Sequence, residues 1–160
     1  MKKILAILLA AAALLSGCEV HEDTFFDIPF AYLVDSNGQS SMIVDNSLDN
    51  LLTELYLKID LSGNQFSEPV TVTYETTVGN GLQEGVDFKI QASTKSPLTF
   101  SQGTYSLPIR IIWLTRELDP SKDNTLTFTI TGTSLPEMLI GLPGPDSLNK
   151  SYIFTKKTIL

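Results

Sequence analysis

The one cysteine and the one histidine of the chain, Cys18 and His21, stand three positions apart in LLSGCEVHED, between an apolar run and an acidic cluster. A Ser-His-Asp arrangement and a His-containing zinc site both need a histidine presented by the folded body. Beyond residue 21 there is none, and neither a Gly-x-Ser-x-Gly elbow nor a phosphate-cradling glycine loop occurs. Carboxylates remain: Glu84 and Asp87 in one stretch, and Glu117, Asp119 and Asp123 in another. A carboxylate pair hydrolyses a glycosidic bond only at the right separation. Acids on exposed loops and strands are ordinary, so no enzyme is expected. Two aromatics are candidates for stacking on a ligand. Trp113 shares its phase with Ile109 and Ile111 and reads as core, whereas Tyr56 faces outward between Glu54 and Lys58 and is the candidate ligand-facing residue.

The residues before Cys18 explain its place. Lys2 and Lys3 give a basic start, residues 4–15 are unbroken apolar, and Ser16-Gly17 are small, the pattern of a secretory signal peptide. A spanning helix needs about 20 apolar residues, more than this run has. Leu15-Ser16-Gly17-Cys18 resembles the lipobox of bacterial lipoproteins. That resemblance implies a cleaved signal (1–17), a Cys18 carrying acyl chains, a tether (18–28) and a folded domain (29–160). Each buried methylene contributes about 0.8 kcal/mol, so several chains on one cysteine anchor stably where one alone does not. No cysteine follows Cys18, so no intramolecular disulfide can form and the core alone must hold the fold. The formal charge of −7 and the lack of any basic stripe argue against nucleic acid. Glu19, Glu22, Asp23 and Asp27 read either as a solvated tether or, by resemblance, as the acidic export signal of Bacteroidetes surface lipoproteins.

Beyond residue 28 the periodicity is that of strands. In TELYLKIDL, Leu55, Leu57, Ile59 and Leu61 fall on one face and Glu54, Tyr56, Lys58 and Asp60 on the other, which no helix explains. VTVTYETT and TLTFTITG repeat the pattern with threonine outward, where its branched Cβ suits an extended backbone. In YSLPIRIIWL the odd positions Tyr105 to Trp113 form the apolar face, and Pro108 predicts an edge or bulged strand. Shorter candidates are IPFAYLV, DFKI, PLTF and SYIFTKKTI; only SLDNLLTE and SLPEMLIG could hold a helical turn. Many short strands separated by Gly, Asn and Pro punctuation predict an all-β chain folded as a single antiparallel β-sandwich.

Residues 84–132 carry a Gly-x-Asp-aromatic step, a strand ending in Leu-x-Phe, a glycine turn, a long Ile-x-Ile strand, an irregular loop and a threonine-rich strand. This resembles the Calx-β type of immunoglobulin-like domain. With GLPGPDSLNKSYIFTKK it is similar to short Calx-β-like lipoproteins of Bacteroidetes whose function is uncharacterised. The resemblance implies acidic residues holding calcium at one end of the sandwich. Here the paired acids after the long strand are replaced by Thr115-Arg116-Glu117, and an arginine repels the ion. Calcium takes about six to eight oxygens, so Glu84, Asp87, Asp119 and Asp123 are a weak set, and neither a metal nor another cofactor is expected. DSNG at 35–38 resembles the start of an EF-hand loop, but the later ligand spacing fails and it reads as a turn.

Leu135, Met138, Leu139, Ile140 and Leu142 sit in a proline-rich stretch where no strand pattern demands them. They either cap the end of the sandwich or form a partner-binding loop. DSL at 146–148 resembles the short O-glycosylation sequence of Bacteroidetes. Together these features point to a lipid-anchored envelope protein, outer-membrane and surface-facing, with the periplasmic face as the alternative placement. The expected role is a non-catalytic binding module for a glycan or a protein partner. The alternative is a structural or accessory subunit of an envelope complex without a ligand of its own.

Overall fold

The computed structural model describes residues 28–63 and 66–159. Among the described residues ten strands form: β1 (Phe30–Val34), β2 (Ser41–Asp45), β3 (Leu51–Asp60), β4 (Val70–Val78), β5 (Phe88–Ile90), β6 (Leu98–Phe100), β7 (Ser106–Trp113), β8 (Thr125–Thr133), β9 (Leu139–Ile140) and β10 (Ser151–Lys157). They make two five-stranded sheets. Sheet A has the order β5-β7-β3-β1-β9, and sheet B the order β2-β10-β8-β4-β6.

Alternation decides which side chains meet between the sheets. Leu55, Leu57 and Ile59 of β3 point inward with Ile109, Ile111 and Trp113 of β7, opposite Val70, Val72 and Tyr74 of β4 and Leu126, Phe128 and Ile130 of β8. Aromatic rings run through the middle: Trp113 to Phe154 at 5.5 Å between centroids, Phe154 to Tyr152 at 4.8 Å and to Phe128 at 6.0 Å. Each such buried side chain contributes about 1.5–3 kcal/mol of transfer free energy. The indole Nε1 of Trp113 donates to Thr53 Oγ1 at 2.9 Å, so its burial leaves no donor unpaired.

Four sequence expectations change. The sandwich is not wholly antiparallel, because β9 runs parallel to β1 and β2 parallel to β10. The chain leaves β1 through a turn in which Asp35 Oδ1 accepts the Asn37 and Gln39 amides, both at 2.8 Å, and crosses to sheet B. β2 therefore borders the last strand instead of hairpinning onto β1. Pro108 sits in an interior strand, opposite Tyr56 of β3, yet β5 reaches only Ile111–Trp113 of β7. At Pro108 the far side of β7 has no strand to bond, so the missing N–H costs nothing. Tyr105, expected on the inward face, precedes β7 and is about half exposed. SLDNLLTE and SLPEMLIG form turns leading into β3 and β9 instead of helical turns.

Candidate ligand-binding face and the polar end of the sandwich

The outer face of sheet A carries the side chains that β1, β3 and β7 turn away from the core. Register places Glu54 directly opposite Arg110, Tyr56 opposite Val34 and Pro108, and Lys58 opposite Tyr32. Arg110 Nε donates to Glu54 Oε1 at 2.8 Å, and Tyr56 Oη donates to the other oxygen at 2.6 Å. Those two bonds, the tyrosine's first, hold the Glu54 carboxyl below the usual carboxylate range. The Tyr56 phenol is pushed up in return, chiefly because its proton is held by Glu54. One strand over, the Tyr32 and Phe30 rings lie 5.6 Å apart at a 34° tilt. Partial burial and the Asp60 charge raise the Tyr32 pKa. Phe30, Tyr32 and Tyr56 are each half-buried. The result is a shallow face of ring surface flanked by a fixed carboxylate, a guanidinium and the Lys58 ammonium, which can stack on a flat ligand and hydrogen-bond its edges.

The end where β7 and β10 finish and β5 begins is polar. Asp87, just before β5, is fully buried, as is Lys156 on the inward row of β10. Arg116 Nε donates to Asp87 Oδ1 at 2.8 Å, and Lys156 Nζ lies 3.6 Å from the same oxygen. Lys156 also donates to the Asp87 and Leu114 carbonyls. Asp87 Oδ2 accepts the Gln83 amide at 2.8 Å. Burial lowers the Lys156 pKa, and the Asp87 charge opposes that shift.

This arrangement accounts for the four calcium candidates. Asp87 is occupied by two cations, Glu84 pairs with Lys95 at 2.9 Å, Asp119 accepts Ser121 Oγ at 2.6 Å, and Asp123 accepts Thr125 Oγ1 at 2.7 Å. No group of three or more His, Cys, Asp or Glu side chains gathers among the described residues. Arg116 lies beside Asp87, where the sequence placed a cation-repelling arginine. Beside it opens a cleft of about 290 Å³ bounded by Asn80, Gln83, Arg116, Glu117, Asp119 and Lys122.

The 134–149 stretch is divided in its roles. Met138 is buried, Leu135 and Ile140 pack against the core, and Leu142 is half-buried. Leu139 is the most exposed of the five, on β9 at the margin of sheet A. At the opposite end of the sandwich from Asp87, a second cleft of about 280 Å³ is lined by Ile59, Leu61, Phe66, Glu68, Phe100 and Tyr105.

Leu15, Ser16, Gly17 and Cys18, with His21 and the acidic tether up to Asp27, lie outside the described residues. Glu54 and Arg110 were visible in the sequence as outward strand positions, but only the β3–β7 register makes them partners. Lys156 gave no signal beyond its phase: it continues the inward row of Tyr152 and Phe154.

No family model and no curated protein matches the sequence. Among solved structures the chain is similar to the calcium-binding domain CBD12 of CALX1.1, at 15% identity and a TM-score of 0.47, over 78% of this chain and 44% of that one. It is also similar to a two-domain protein of unknown function from Bacteroides fragilis, at 12% identity and a TM-score of 0.46, over 83% of this chain and 46% of that one. The chain thus spans less than half the length of either.

Proposed function

We propose that the protein is a lipid-anchored, non-catalytic binding module of a bacterial envelope, Calx-β-like in type, that holds a glycan on the outer face of sheet A. The observation that carries this reading is the fixed Arg110–Glu54–Tyr56 set beside the Phe30–Tyr32 pair. A sugar ring offers C–H faces to aromatic surface and hydroxyl edges to charged hydrogen-bonding groups. A sheet face supplies both with little loss of side-chain entropy when the polar groups already hold one another. The anchor rests on the lipobox resemblance at Cys18.

Two experiments test the two halves. Cys18→Ser moves the protein from the membrane fraction to the released fraction; retention in the membrane removes the anchor from the reading. On an array of polysaccharides, Tyr56→Ala and Tyr32→Ala lose binding that the parent shows. Equal binding by both variants removes the sheet face.

A second reading, an accessory subunit docked on a partner, has its own observation. Ile43 on edge strand β2 and Ile153 on β10 are diagonal neighbours by register, 55% and 42% exposed on the outer face of sheet B. Protein crosslinking on intact cells separates the two, since a docked subunit is captured with one stoichiometric envelope partner and a glycan binder with polysaccharide.

A further inference from the structure

The cleft beside Arg116 is built from two loops that hold each other still. Asn124 Nδ2 donates to the Asp119 and Lys122 carbonyls at 2.9 and 3.3 Å, and the Asp123 amide donates to Asn80 Oδ1 at 2.9 Å. Gly79 and Gly81 let the facing chain approach so closely that a Cβ would stand 2.3 Å from Asp123 O and 2.2 Å from Asn124 Oδ1. Arg116 is fixed in turn, through Nε on the buried Asp87 and Nη2 on the Gly81 carbonyl at 3.2 Å.

Within this fixed frame several groups are unspent. The Gln83 side-chain carboxamide, the Glu117 carboxylate and the Lys122 ammonium line the cleft without a side-chain hydrogen bond among the described residues, and the Arg116 bonds leave Nη1 over. Donors and acceptors are mixed, and the charges of Arg116 and Lys122 cancel those of Glu117 and Asp119. An anion or a cation therefore gains no net attraction. Leu82 is the one apolar side chain in the lining, so a hydrocarbon ligand finds no wall. A hydroxyl donates one hydrogen bond and accepts others, and a ring bearing several of them matches such a mixed lining. The volume, about 290 Å³, lies just under the range of about 300–1,000 Å³ usual for small-molecule pockets.

We propose that this cleft is a second binding site, for one neutral monosaccharide unit such as the terminal residue of a glycan chain, held edge-on by Gln83, Glu117, Lys122 and Arg116. The proposal rests on the carbohydrate reading of the protein but not on the sheet A face, which lies on a different part of the molecule. Preorganisation is what the locked loops contribute, because the polar groups need not be ordered when the ligand arrives.

The test uses the full-length protein in detergent on surfaces bearing neutral oligosaccharides that end in glucose, galactose, mannose or N-acetylglucosamine. The expected result is binding to at least one surface, competed by the matching free methyl glycoside. Gln83→Ala and Glu117→Ala each weaken it about tenfold, the loss expected for one hydrogen bond. Both positions are exposed and their side chains lie outside the locking network, so the folded state is retained; a melting curve on each variant checks this. Binding of none of the four surfaces overturns the proposal, as does binding indifferent to both variants. Loss of all competition in Tyr56→Ala assigns the sugar to the sheet face and also overturns it. Survival of the competition, with polysaccharide binding insensitive to Tyr32→Ala and Tyr56→Ala, removes the sheet face and leaves the cleft.

Discussion

Lys156 Nζ stands 3.6 Å from Asp87 Oδ1, and both side chains are buried in a sandwich filled mainly with aliphatic and aromatic groups. The pair is balanced by Arg116 on the surface side and by two backbone carbonyls around the ammonium. Such a cluster stabilises a fold only while it is complete, because each ion left alone keeps its desolvation cost.

Asp87→Asn, which leaves the buried Lys156 ammonium without a carboxylate, is therefore expected to destabilise the protein by about 3–5 kcal/mol, a fall in melting temperature on the order of 10 °C. The double variant Lys156→Met/Asp87→Asn should regain much of that loss, since no buried charge is then uncompensated. Thermal unfolding of the two single variants and the double variant measures the coupling. A loss in Asp87→Asn below about 1 kcal/mol would contradict the buried pairing.

Calcium is expected to leave the melting temperature unchanged, and so is a chelator. The four acids nearest to a calcium set already have partners within the chain, and a ligand stabilises only by binding the folded state better than the unfolded one. Differential scanning fluorimetry with calcium and with chelator reads this directly, and a rise of several degrees in calcium would overturn it.

Above about pH 10 stability should fall, with Tyr74 as one source. Its Oη donates to the Thr94 carbonyl at 2.6 Å, and burial pushes its pKa from 10.0 to about 12. Between those values the unfolded chain has released the phenol proton and the folded chain keeps it. The folded state thus binds more protons there and loses stability as pH rises. Tyr152, raised by burial and then by Asp35, acts in the same direction. Lys156 acts oppositely below 10.5, where its lowered pKa leaves the unfolded chain with more protons. Urea unfolding from about pH 9 to about pH 12 should show a shallower decline in Tyr74→Phe than in the parent. Equal slopes would exclude Tyr74.

Gly79→Ala and Gly81→Ala should each destabilise the protein by about 1–3 kcal/mol, the usual range for overpacking. Gly79→Ala is the worse of the two, because its new methyl group meets the Asp123 backbone oxygen, whereas at Gly81 the nearest atom is the end of the Asn124 side chain. Chemical unfolding of both variants checks the order.

Tyr56→Phe should leave stability within about 0.5 kcal/mol, since the hydroxyl lies on the outer face of a sheet. Its effect belongs to the Glu54 carboxyl, which loses the larger of the two bonds that lower its pKa, so that pKa should rise. A carboxyl-carbon NMR titration of parent and variant measures the shift, and an unchanged midpoint would show that the hydrogen bond does not form in solution.

Much of the fold was legible because strand alternation is a local property. Leu55, Leu57 and Ile59 had to share a face whatever they met, and the same holds for Leu126, Phe128 and Ile130. Trp113 followed from its phase with Ile109 and Ile111. β2 and β9 were not legible: SMIVD is too short and too polar to stand out, and the LI of β9 is a strand only because β1 lies beside it. A two-residue strand carries no period to detect.

By itself the sequence determined the all-β character, the inward rows, and the lack of any cysteine after Cys18 and of any histidine after His21. Those follow from residue type and spacing, which no packing can alter. Only the tertiary structure decided which charged residues meet. Glu54 and Arg110 are 56 positions apart, and Asp87 and Lys156 are 69 apart. Pairings over such distances depend on strand register and sheet order. A slip of one residue in register would turn each of these side chains to the opposite face.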